Sequence, residues 1–374
     1  MSERRLGQSL DERDEGNDHE VQNTMPSAPW ALSSNLQDIQ TWTGLLTPYI
    51  FHPITAIQVY FPNMWPFNGK SFNPEADIGD LSNKVILVTG GNTGIGKETI
   101  LQLAKHNPAK VYLAARTESK ARDAIESIKT ALSKPVDIEY LPLDLSSLKS
   151  VRQAAEIVNA STSRLDILIL NAGIMAVPPG TTESGHDIQL GTNHIGHFQL
   201  TKLLLPLLEK TAAMPGSDVR IISVSSEANN MAPSIDTITS TEKLTATGPW
   251  TRYGASKAAN ILFAAELARR YPAFKSVSLH PGMIKTDLYL PNQDINIVFK
   301  YGFALFGPLI LRGVPEGAHN QLWAAAGAKR EELVDGAYYT PVGKSHAGNK
   351  FAKDKAGGKK LWDWTEAELK KAGY

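Results

Sequence analysis

Short hydrophobic runs recur along the chain from about residue 81, and most of them are rich in β-branched side chains. These runs predict strands at 84–89, 110–115, 137–143, 165–170, 219–225 and 276–280, with a shorter one at 336–340. Several runs are apolar at almost every position, which is typical of strands that are covered on both faces of a parallel sheet.

Helical patterns separate these runs. They lie at 94–106, 117–133, 146–160, 187–210 and 251–271. Parallel strands need such crossover helices, and right-handed crossovers place them on both sides of the sheet. We therefore predict an α/β fold: a single, doubly wound, Rossmann-type parallel sheet of about seven strands with helices on both faces.

The sequence outside this alternation divides the chain further. Residues 1–24 are charged and poor in apolar side chains, so we expect a disordered tail, whereas 25–80 form an extension rich in proline and aromatic residues. The α/β domain is expected to span 81–374. Residues 227–249 interrupt one passage from strand to helix, and 288–316 follow the sixth strand. Such segments usually shape the mouth of a binding site.

Composition narrows the function classes. The chain has 38 basic and 38 acidic residues, and this balance gives no reason to expect a nucleic-acid partner. It has no cysteine, which removes disulfides, thiolate metal sites and cysteine nucleophiles, and which fits a reducing, cytoplasmic compartment. Proline or glycine interrupts the apolar stretches at 44–61 and 295–313, so we expect no membrane-spanning helix and leave peripheral membrane contact open.

Two histidines raise the question of a metal ion. His194 and His197 lie three residues apart on one predicted helix. No matching carboxylate cluster and no cysteine accompany them, so we expect no metal site.

The first predicted strand runs directly into the segment TGGNTGIGKE, whose glycines are followed by a helix. Glycine permits a tight turn here and lets the backbone approach a pyrophosphate on the N–H groups that open the helix. A plain strand-to-helix turn is the alternative. The expected dinucleotide contacts in this turn are Gly90, Asn92, Thr93, Gly94, Ile95 and Gly96.

Four motifs follow one another in the chain: TGGNTGIG, NAG at 171–173, YGASK at 253–257 and HPGMIKT at 280–286. Together they resemble the short-chain dehydrogenase/reductase family, and the resemblance covers about residues 81–340. It implies the doubly wound fold predicted above, a nicotinamide cofactor and an oxidoreductase that acts on carbonyl or alcohol groups.

The residue after the second strand bears on which nicotinamide cofactor is used. An acidic side chain there would accept a hydrogen bond from a free ribose 2′-hydroxyl, but this chain has Arg116. A guanidinium suits the oxygens of a 2′-phosphate, so we expect NADP, with NAD as the fallback. The alternative is a solvated arginine that caps the next helix.

The resemblance implies further cofactor contacts at the ends of the strands. Asp144 is expected at the adenine edge, unless it caps a helix with Ser146 and Ser147. Lys202 is either a cofactor contact or a solvated lysine. The implied contacts are Asp144, Leu145, Asn171, Ala172, Gly173, Lys202, Pro281, Gly282, Ile284 and Thr286, together with Tyr253 and Lys257.

Tyr253 and Lys257 lie one helical turn apart and therefore share a face. A free tyrosine has a pKa of about 10, and a nearby ammonium favours its phenolate form. We expect Tyr253 to exchange a proton with the substrate oxygen while Lys257 binds the ribose and tunes the phenol. An exposed helix-surface pair is the alternative.

The resemblance also implies a catalytic serine and a catalytic asparagine. Ser226 matches the serine that donates a hydrogen bond to the substrate oxygen, with Ser225 as the fallback if the strand register slips by one residue. Asn193 matches the asparagine that holds a water next to the lysine. Ser226 precedes Tyr253 by 27 residues, and this long interval is similar to that of the retinol-dehydrogenase-like branch.

These expectations combine into one predicted function: an NADP(H)-dependent oxidoreductase that transfers hydride between nicotinamide and a carbonyl or alcohol of a hydrophobic small molecule. Residues 288–316 are rich in aromatic side chains and are expected to be an apolar substrate lid, or else a dimer or membrane-surface contact. A cofactor-binding sensor or scaffold without turnover, and an interaction protein built around residues 1–80, are the alternatives. A homo-oligomer is left open.

Overall fold

The computed structural model describes residues 70–132, 134–282, 284 and 313–374. Three of the sequence-based expectations lie outside these residues: the tail and most of the extension before residue 70, most of the lid at 288–316, and the cofactor contact at Thr286. The described residues form an α/β fold around one sheet.

Eight strands of the described residues form this sheet. They are β1 (Val85–Thr89), β2 (Lys110–Ala115), β3 (Ile138–Pro142), β4 (Ile167–Leu170), β5 (Arg220–Val224), β6 (Lys275–Leu279), β7 (Tyr338–Thr340) and β8 (Lys344–Ser345). The strands β1 to β7 are parallel, which confirms the predicted parallel sheet of about seven strands. The eighth is an antiparallel edge strand of two residues, too short to leave a hydrophobic pattern in the sequence.

Helices fill the crossovers between the parallel strands, as the sequence predicts, and of the other described helices one precedes β1 and two follow β8. They are α1 (Pro74–Asp77), α2 (Gly94–Ala104), α3 (Glu118–Leu132), α4 (Leu148–Ser161), α5 (Ile188–Leu190), α6 (Gly196–Ala212), α7 (Ile235–Ile238), α8 (Thr241–Thr245), α9 (Pro249–Arg270), α10 (Val314–Leu322), α11 (Lys350–Lys353) and α12 (Lys355–Lys371). The single helix predicted at 187–210 is in fact α5, a π turn at Gly191–Ile195 and α6 in succession. None of the helices in the described residues is both long and apolar enough to cross a membrane.

Residues of β1 alternate between the two faces of the sheet, and each face has its own core. Ile86 and Val88 pack in the core that α2, α3 and α10 cover, whereas Val85 and Leu87 pack in the core that α4, α6 and α12 cover. Every residue of β1 is buried, which explains why the run VILVT is apolar at nearly every position.

The direction of winding changes beside β1. The sheet order is β3-β2-β1-β4-β5-β6-β7-β8, so β2 and β3 lie on one side of β1 and the later strands on the other. Val88 of β1 is in register with Leu113 of β2 and with Ile169 of β4. Because successive crossovers leave in opposite directions here, a crevice opens at the carboxyl ends of β1 and β4.

The long interval between β5 and α9 is folded onto the domain. It contains a 3₁₀ turn at Glu227–Met231, followed by α7 and α8. Ile238 and Leu244 are fully buried in a cluster with residues of α9, α11 and α12. Most of the interval therefore packs away from the carboxyl end of β5, and the 3₁₀ turn is the part that stays beside it.

The C-terminal helix α12 lies outside the sequence-based prediction and is anchored by one tryptophan. Trp362 is 2% exposed, and its ring centroid lies 4.7 Å from that of Phe198 in α6 and 5.9 Å from that of Phe263 in α9. The guanidinium carbon of Arg270 lies 4.6 Å from the centroid of the indole ring. These contacts hold α12 against both helices.

We predict that Trp362→Ala lowers the free energy of unfolding by about 3 to 5 kcal/mol, because removing the indole leaves a cavity where α6, α9 and α12 meet. Trp362→Phe should cost less, because the indole Nε1 has no hydrogen-bond partner among the described residues. Urea unfolding followed by circular dichroism measures both. Tyr374→Ala, at a residue that is 38% exposed, is the control, and an equal loss in the control and in Trp362→Ala would contradict the prediction.

Candidate active site

The turn between β1 and α2 has the backbone shape that its glycines predict. Gly90 and Gly94 have positive φ angles of 66° and 53°, in the left-handed region that favours glycine. A Cβ on Gly96 would lie 2.3 Å from the carbonyl oxygen of Gly90, so a side chain there would fill the turn. Thr93 precedes α2 without a side-chain cap. The Thr93 side chain therefore does not occupy the N–H groups at the start of α2, and these groups can bind an anion.

Thr89, the last residue of β1, is joined to β4 and to α6. Its hydroxyl oxygen accepts the main-chain N–H groups of Asn171 and Ala172, each at 3.0 Å, and lies 2.8 Å from Nε2 of His197. The Asn171 side-chain amide donates to the Thr89 carbonyl oxygen at 2.8 Å. The buried Oδ1 of Asn171 has no partner among the described residues, which leaves one acceptor unused next to the glycine turn.

His197 is a neutral ring that carries its proton on Nδ1. This nitrogen lies 2.9 Å from the carbonyl oxygen of Asn193, which can only accept. Nε2 is then left to accept the hydroxyl of Thr89. Burial, with a smaller contribution from the charge of Lys257, lowers the pKa of His197 to about 4. The neutral ring therefore joins β1 to the π turn near neutral pH.

Asn193 lies in the π turn and is fully buried. Its Oδ1 accepts the N–H of Ile174 at 2.9 Å, and its Nδ2 donates to the Ile174 carbonyl and to Oγ of Ser256, both at 2.9 Å. A Cβ on Gly173 would lie 3.2 Å from Oδ1 of Asn193 and 3.3 Å from Nζ of Lys257. The structure thus brings Gly173, Asn193 and Lys257 together, at a π turn of the kind that is frequent at functional sites.

Lys257 and Tyr253 lie together on α9. They are 4% and 5% exposed, and Nζ of Lys257 lies 5.6 Å from the centroid of the Tyr253 ring. Nζ donates to the carbonyl oxygen of Val224 at 3.1 Å. Burial lowers the pKa of Lys257 to about 8, and no acidic side chain of the described residues opposes this effect. A positive charge is therefore held close to the phenol in a nearly dry environment, where its field is strong.

The two serines after β5 have different surroundings. Ser225 is 2% exposed, and its hydroxyl donates to the carbonyl oxygen of Lys257 at 2.7 Å. Ser226 is half-buried and caps the 3₁₀ turn, where its Oγ accepts the N–H of Ala228 at 3.2 Å. This bond occupies a lone pair and leaves the hydroxyl hydrogen of Ser226 available. Ser226 is therefore better suited than Ser225 to donate to a bound molecule.

Apolar side chains surround Tyr253. Met175, Ala176 and Ala228 are buried in one cluster with it. The ring of Trp250 meets the Tyr253 ring edge to face, with centroids 6.2 Å apart and planes at 81°. Trp250 is in the first turn of α9 and is half-buried. It lies outside the motifs, so sequence reasoning missed it.

The residues predicted for the adenosine end follow β2 and β3. Arg116 is exposed directly after β2. Asp144 is half-buried, and its Oδ1 accepts the N–H of Ser146 at 2.9 Å and the hydroxyl of the same residue at 2.6 Å. The N-cap position of α4 belongs to Ser147, so Asp144 closes a local turn and does not cap the helix. Leu145 beside it is buried.

The motif HPGMIKT comes close to the glycine turn at Ile284. Pro281 and Gly282 are half-buried, and Gly282 has a positive φ of 102°. A Cβ on Gly317 of α10 would lie 2.3 Å from Cδ1 of Ile284 and 3.0 Å from Cγ2 of Ile95. Ile95 and Ile284 therefore converge on α10, a helix that the sequence-based prediction did not contain.

Lys202, the remaining predicted cofactor residue, contacts the C-terminal helix. Its ammonium pairs with Glu366 and lies 5.9 Å from the ring centroid of Trp362, both in α12. His194 also faces this helix, with Nε2 3.1 Å from Oγ1 of Thr365. Because the sequence does not indicate where α12 packs, it cannot show these contacts, and we leave Lys202 out of the site. Among the described residues no group of three or more His, Asp or Glu side chains could hold a metal ion.

Two further residues of the crevice escaped sequence reasoning. A Cβ on Gly91 would lie 2.5 Å from Cδ1 of Ile100 and 2.9 Å from Cγ of Leu113, so the second glycine of the GG pair is required by the core. The pair itself is a signal that could have indicated this. Thr89 was missed because its hydrogen bonds reach Asn171 and His197, far along the chain.

We predict that Lys257→Met raises the free energy of unfolding of the free protein at pH 7 by about 2 to 3 kcal/mol. The folded-state pKa of Lys257, about 8, lies below its ordinary value of 10.5, so the buried charge destabilises the fold fully below pH 8. The difference from wild type should shrink between pH 8 and 10.5, as the folded lysine loses its proton. Urea unfolding at pH 7 and pH 10 tests this, with the exposed Lys149→Met as control. A variant less stable than wild type at pH 7 would contradict it.

Comparison with known proteins shows the relationship of the whole domain. A family model for short chain dehydrogenases matches residues 84–294. A short-chain dehydrogenase/reductase of Armillaria gallica is 40% identical over 317 residues, which cover 82% of this chain and 99% of the relative. An uncharacterized oxidoreductase of Schizosaccharomyces pombe is 38% identical over 319 residues, covering 83% of this chain and 85% of the relative.

Solved structures agree with these sequence relatives. An uncharacterized protein from Mycobacterium paratuberculosis superposes with a TM-score of 0.61 at 30% identity, over 80% of this chain and 98% of that one. An NADPH-bound carbonyl reductase from chicken fatty liver has a TM-score of 0.52 at 25% identity, over 71% of this chain and all of the other. The family model matches more than half of the chain, and the relatives are matched over most of their length. This chain therefore belongs to the short-chain dehydrogenase/reductase family.

Proposed function

We propose that the protein is an NADP(H)-dependent oxidoreductase that interconverts a carbonyl group and an alcohol of a hydrophobic small molecule, with Tyr253 moving the proton. The chain belongs to an oxidoreductase family that binds nicotinamide cofactors and acts on small molecules. The proposal concerns NADP, the substrate class and the role of Tyr253. It is carried by one observation: the buried Lys257 ammonium lies 5.6 Å from the ring centroid of Tyr253, with no acidic partner among the described residues.

The residues around the crevice fit a dinucleotide. A Cβ would fill the glycine turn at Gly96, and Oδ1 of Asn171 is a buried acceptor without a partner in the described part of the chain. When bound, NADPH supplies the hydride. The residues proposed to hold it are Gly90, Asn92, Thr93, Gly94, Ile95, Gly96, Arg116, Asp144, Leu145, Asn171, Ala172, Gly173, Tyr253, Lys257, Pro281, Gly282 and Ile284, with Thr286 added on the resemblance alone.

The preference for NADP depends on Arg116. Its guanidinium is exposed at the end of β2, where the ribose of an adenosine is expected in this fold. It can bind phosphate oxygens with charge-assisted hydrogen bonds. The carbonyl reductase from chicken fatty liver, at 25% identity, is described as bound to NADPH, which supports the same cofactor here.

The proton chemistry is assigned to four side chains. In the reduction, Tyr253 gives its hydroxyl proton to the substrate oxygen, and the Lys257 ammonium stabilises the phenolate that remains. Ser226 donates its available hydroxyl hydrogen to the same oxygen and orients it. Asn193, fixed by Ile174, lies next to Lys257, where a water could return the proton from solvent. In alcohol oxidation Tyr253 acts as the base.

The substrate class follows from the surroundings of Tyr253. Trp250, Met175 and Ala176 place apolar side chains beside the Tyr253 ring. Apolar walls bind apolar parts of a ligand and leave its one polar group for Ser226 and Tyr253. We therefore propose a hydrophobic carbonyl compound or alcohol.

Tyr253→Phe is expected to reduce kcat with NADPH and a hydrophobic carbonyl substrate by at least about 100-fold, the usual contribution of a general acid. NADPH binding, followed by its fluorescence, should remain within about threefold of wild type, because the aromatic ring is retained and only the hydroxyl is lost. Tyr112→Phe is the matched control, a buried tyrosine of β2 whose hydroxyl lies 2.7 Å from Ser161. Unchanged turnover in Tyr253→Phe would show that Tyr253 is not the proton donor. If the wild-type protein binds NADPH but reduces no carbonyl compound, it is a cofactor-binding sensor and not an enzyme.

Arg116→Ala should weaken NADPH binding by about 10- to 100-fold, the loss expected for hydrogen bonds between charged groups. NADH binding should change little, because NADH lacks the 2′-phosphate. Titrations of both cofactors by fluorescence measure the ratio. Arg122→Ala, which removes an exposed arginine paired with Glu118, is the control. An equal loss of affinity for NADPH and NADH would show that Arg116 does not bind the 2′-phosphate.

Trp250→Ala should raise KM for bulky apolar carbonyl substrates by about tenfold and leave small ones nearly unchanged, since only the former need the indole surface. Steady-state kinetics with a graded series of aliphatic and aromatic ketones measures this. An equal effect on every substrate in the series would show that Trp250 supports α9 and does not line the substrate site.

A further inference from the structure

A buried carboxyl group follows the proposed catalytic serine directly. Glu227 is 5% exposed and lies in the first position of the 3₁₀ turn that Ser226 caps. Its Oε1 accepts the hydroxyl of Tyr338, in β7, at 3.1 Å. Its Oε2 accepts from Nδ2 of Asn230 at 3.2 Å. The mechanism above does not use this carboxyl group.

Asn229 extends the same network to the backbone of the serine. Its Nδ2 donates to the carbonyl oxygen of Ser226 at 2.7 Å and lies 3.5 Å from the hydroxyl of Tyr338. Its Oδ1 accepts from Nδ2 of Asn349 at 3.0 Å, and Asn349 also caps α11. The turn that carries Ser226 is therefore tied to β7 and to the C-terminal region, more than 100 residues further along the chain.

Helix α9 closes the other side of the turn. A Cβ on Gly254 would lie 2.6 Å from the carbonyl oxygen of Ala228 and 3.0 Å from the carbonyl carbon of Met231. Backbone thus meets backbone next to Tyr253, with no room for displacement toward the helix. The turn that Ser226 caps makes both this contact and the buried network, so the position of Ser226 depends on both.

Burying the polar groups of this network destabilises the fold. Burial raises the pKa of Glu227, against the opposing hydrogen bond from Tyr338 and the weaker effects of His346 and Asn230. Burial, then Glu227 and then the phenol of Tyr253 raise the pKa of Tyr338 well above its ordinary value. Apolar side chains of the same size would avoid the desolvation cost of such groups.

We propose that Glu227 and Tyr338 are positioning residues, which hold the 3₁₀ turn so that the Ser226 hydroxyl faces the substrate oxygen beside Tyr253. This inference rests on the proposed function for its catalytic consequence. It adds a structural requirement beyond the presence of the serine, the tyrosine and the lysine. The turn that carries the serine must be held by β7, on the far side of β6. The carboxyl acts as an acceptor for Tyr338, so an uncharged acceptor of the same shape should replace it.

The experiment compares Glu227→Ala, Glu227→Gln and Tyr338→Phe with wild type and with Tyr112→Phe, a buried tyrosine hydroxyl away from the site. With NADPH and a hydrophobic carbonyl, Glu227→Ala and Tyr338→Phe should lower kcat by about tenfold or more, since small displacements of catalytic groups are costly. Their NADPH affinity should stay unchanged, because Ser226 does not hold the cofactor. Glu227→Gln, which keeps the acceptor for Tyr338, should retain kcat within about threefold.

Hydrogen exchange of the peptide covering 225–231 is the second measurement and needs no turnover. The N–H of Ala228, bonded to Oγ of Ser226, should exchange faster in Glu227→Ala and Tyr338→Phe, and at the wild-type rate in Glu227→Gln and Tyr112→Phe. Unchanged exchange in the first two variants, or kcat losses equal to that of Tyr112→Phe, would overturn the inference while the Tyr253 test stands. A wild type without turnover would overturn the proposed function, and hydrogen exchange would still decide whether Glu227 and Tyr338 hold the turn.

Discussion

The ammonium of Lys257 is held where water hardly reaches it, and the elements around it are arranged to tolerate that charge without neutralising it. Its direct partner is the carbonyl oxygen of Val224, at the end of β5. Asn193 and Gly173 lie beside it, and a Cβ on Gly173 would crowd the ammonium at 3.3 Å. An acidic partner would stabilise the charge but would also cancel its field at Tyr253. Burying the Lys257 ammonium without an acidic partner thus destabilises the fold, and the same lack of a partner lets its charge act on Tyr253.

Rigid elements, not loops, hold the groups around this charge. Thr89 and the neutral His197 connect the end of β1 to the π turn of Asn193, and the same threonine fixes the main chain at Asn171. Tyr253 and Lys257 share the long helix α9, and the 3₁₀ turn that Ser226 caps contacts both that helix and Tyr338 of β7. Groups positioned in this way lose little freedom on binding a ligand, which is the usual requirement for acid and base catalysis.

Much of the fold was predictable because its signals are local. The runs VILVT at β1 and KVYLAA at β2 are apolar at nearly every position, and the glycine turn and YGASK carry their own backbone and spacing requirements. The remainder depends on contacts between distant residues. The π turn lies inside a stretch whose pattern predicts one continuous helix. Gly317 and Trp362 place α10 and α12, and the pairing of Glu227 with Tyr338 spans 111 residues. Lys202 shows the same limit, because its partner Glu366 lies on α12.

The most direct test of the account is the titration of Lys257 itself in the free protein. Nuclear magnetic resonance of protein labelled at the lysine side chains, with Lys257→Met to assign the signal, gives the pKa of each ammonium. We expect one lysine signal that titrates at about 8 and is missing from the variant, because burial lowers the pKa of Lys257. If every lysine titrates near the ordinary value of about 10.4, water reaches the ammonium, and the dry, uncompensated charge beside Tyr253 on which the account depends does not exist.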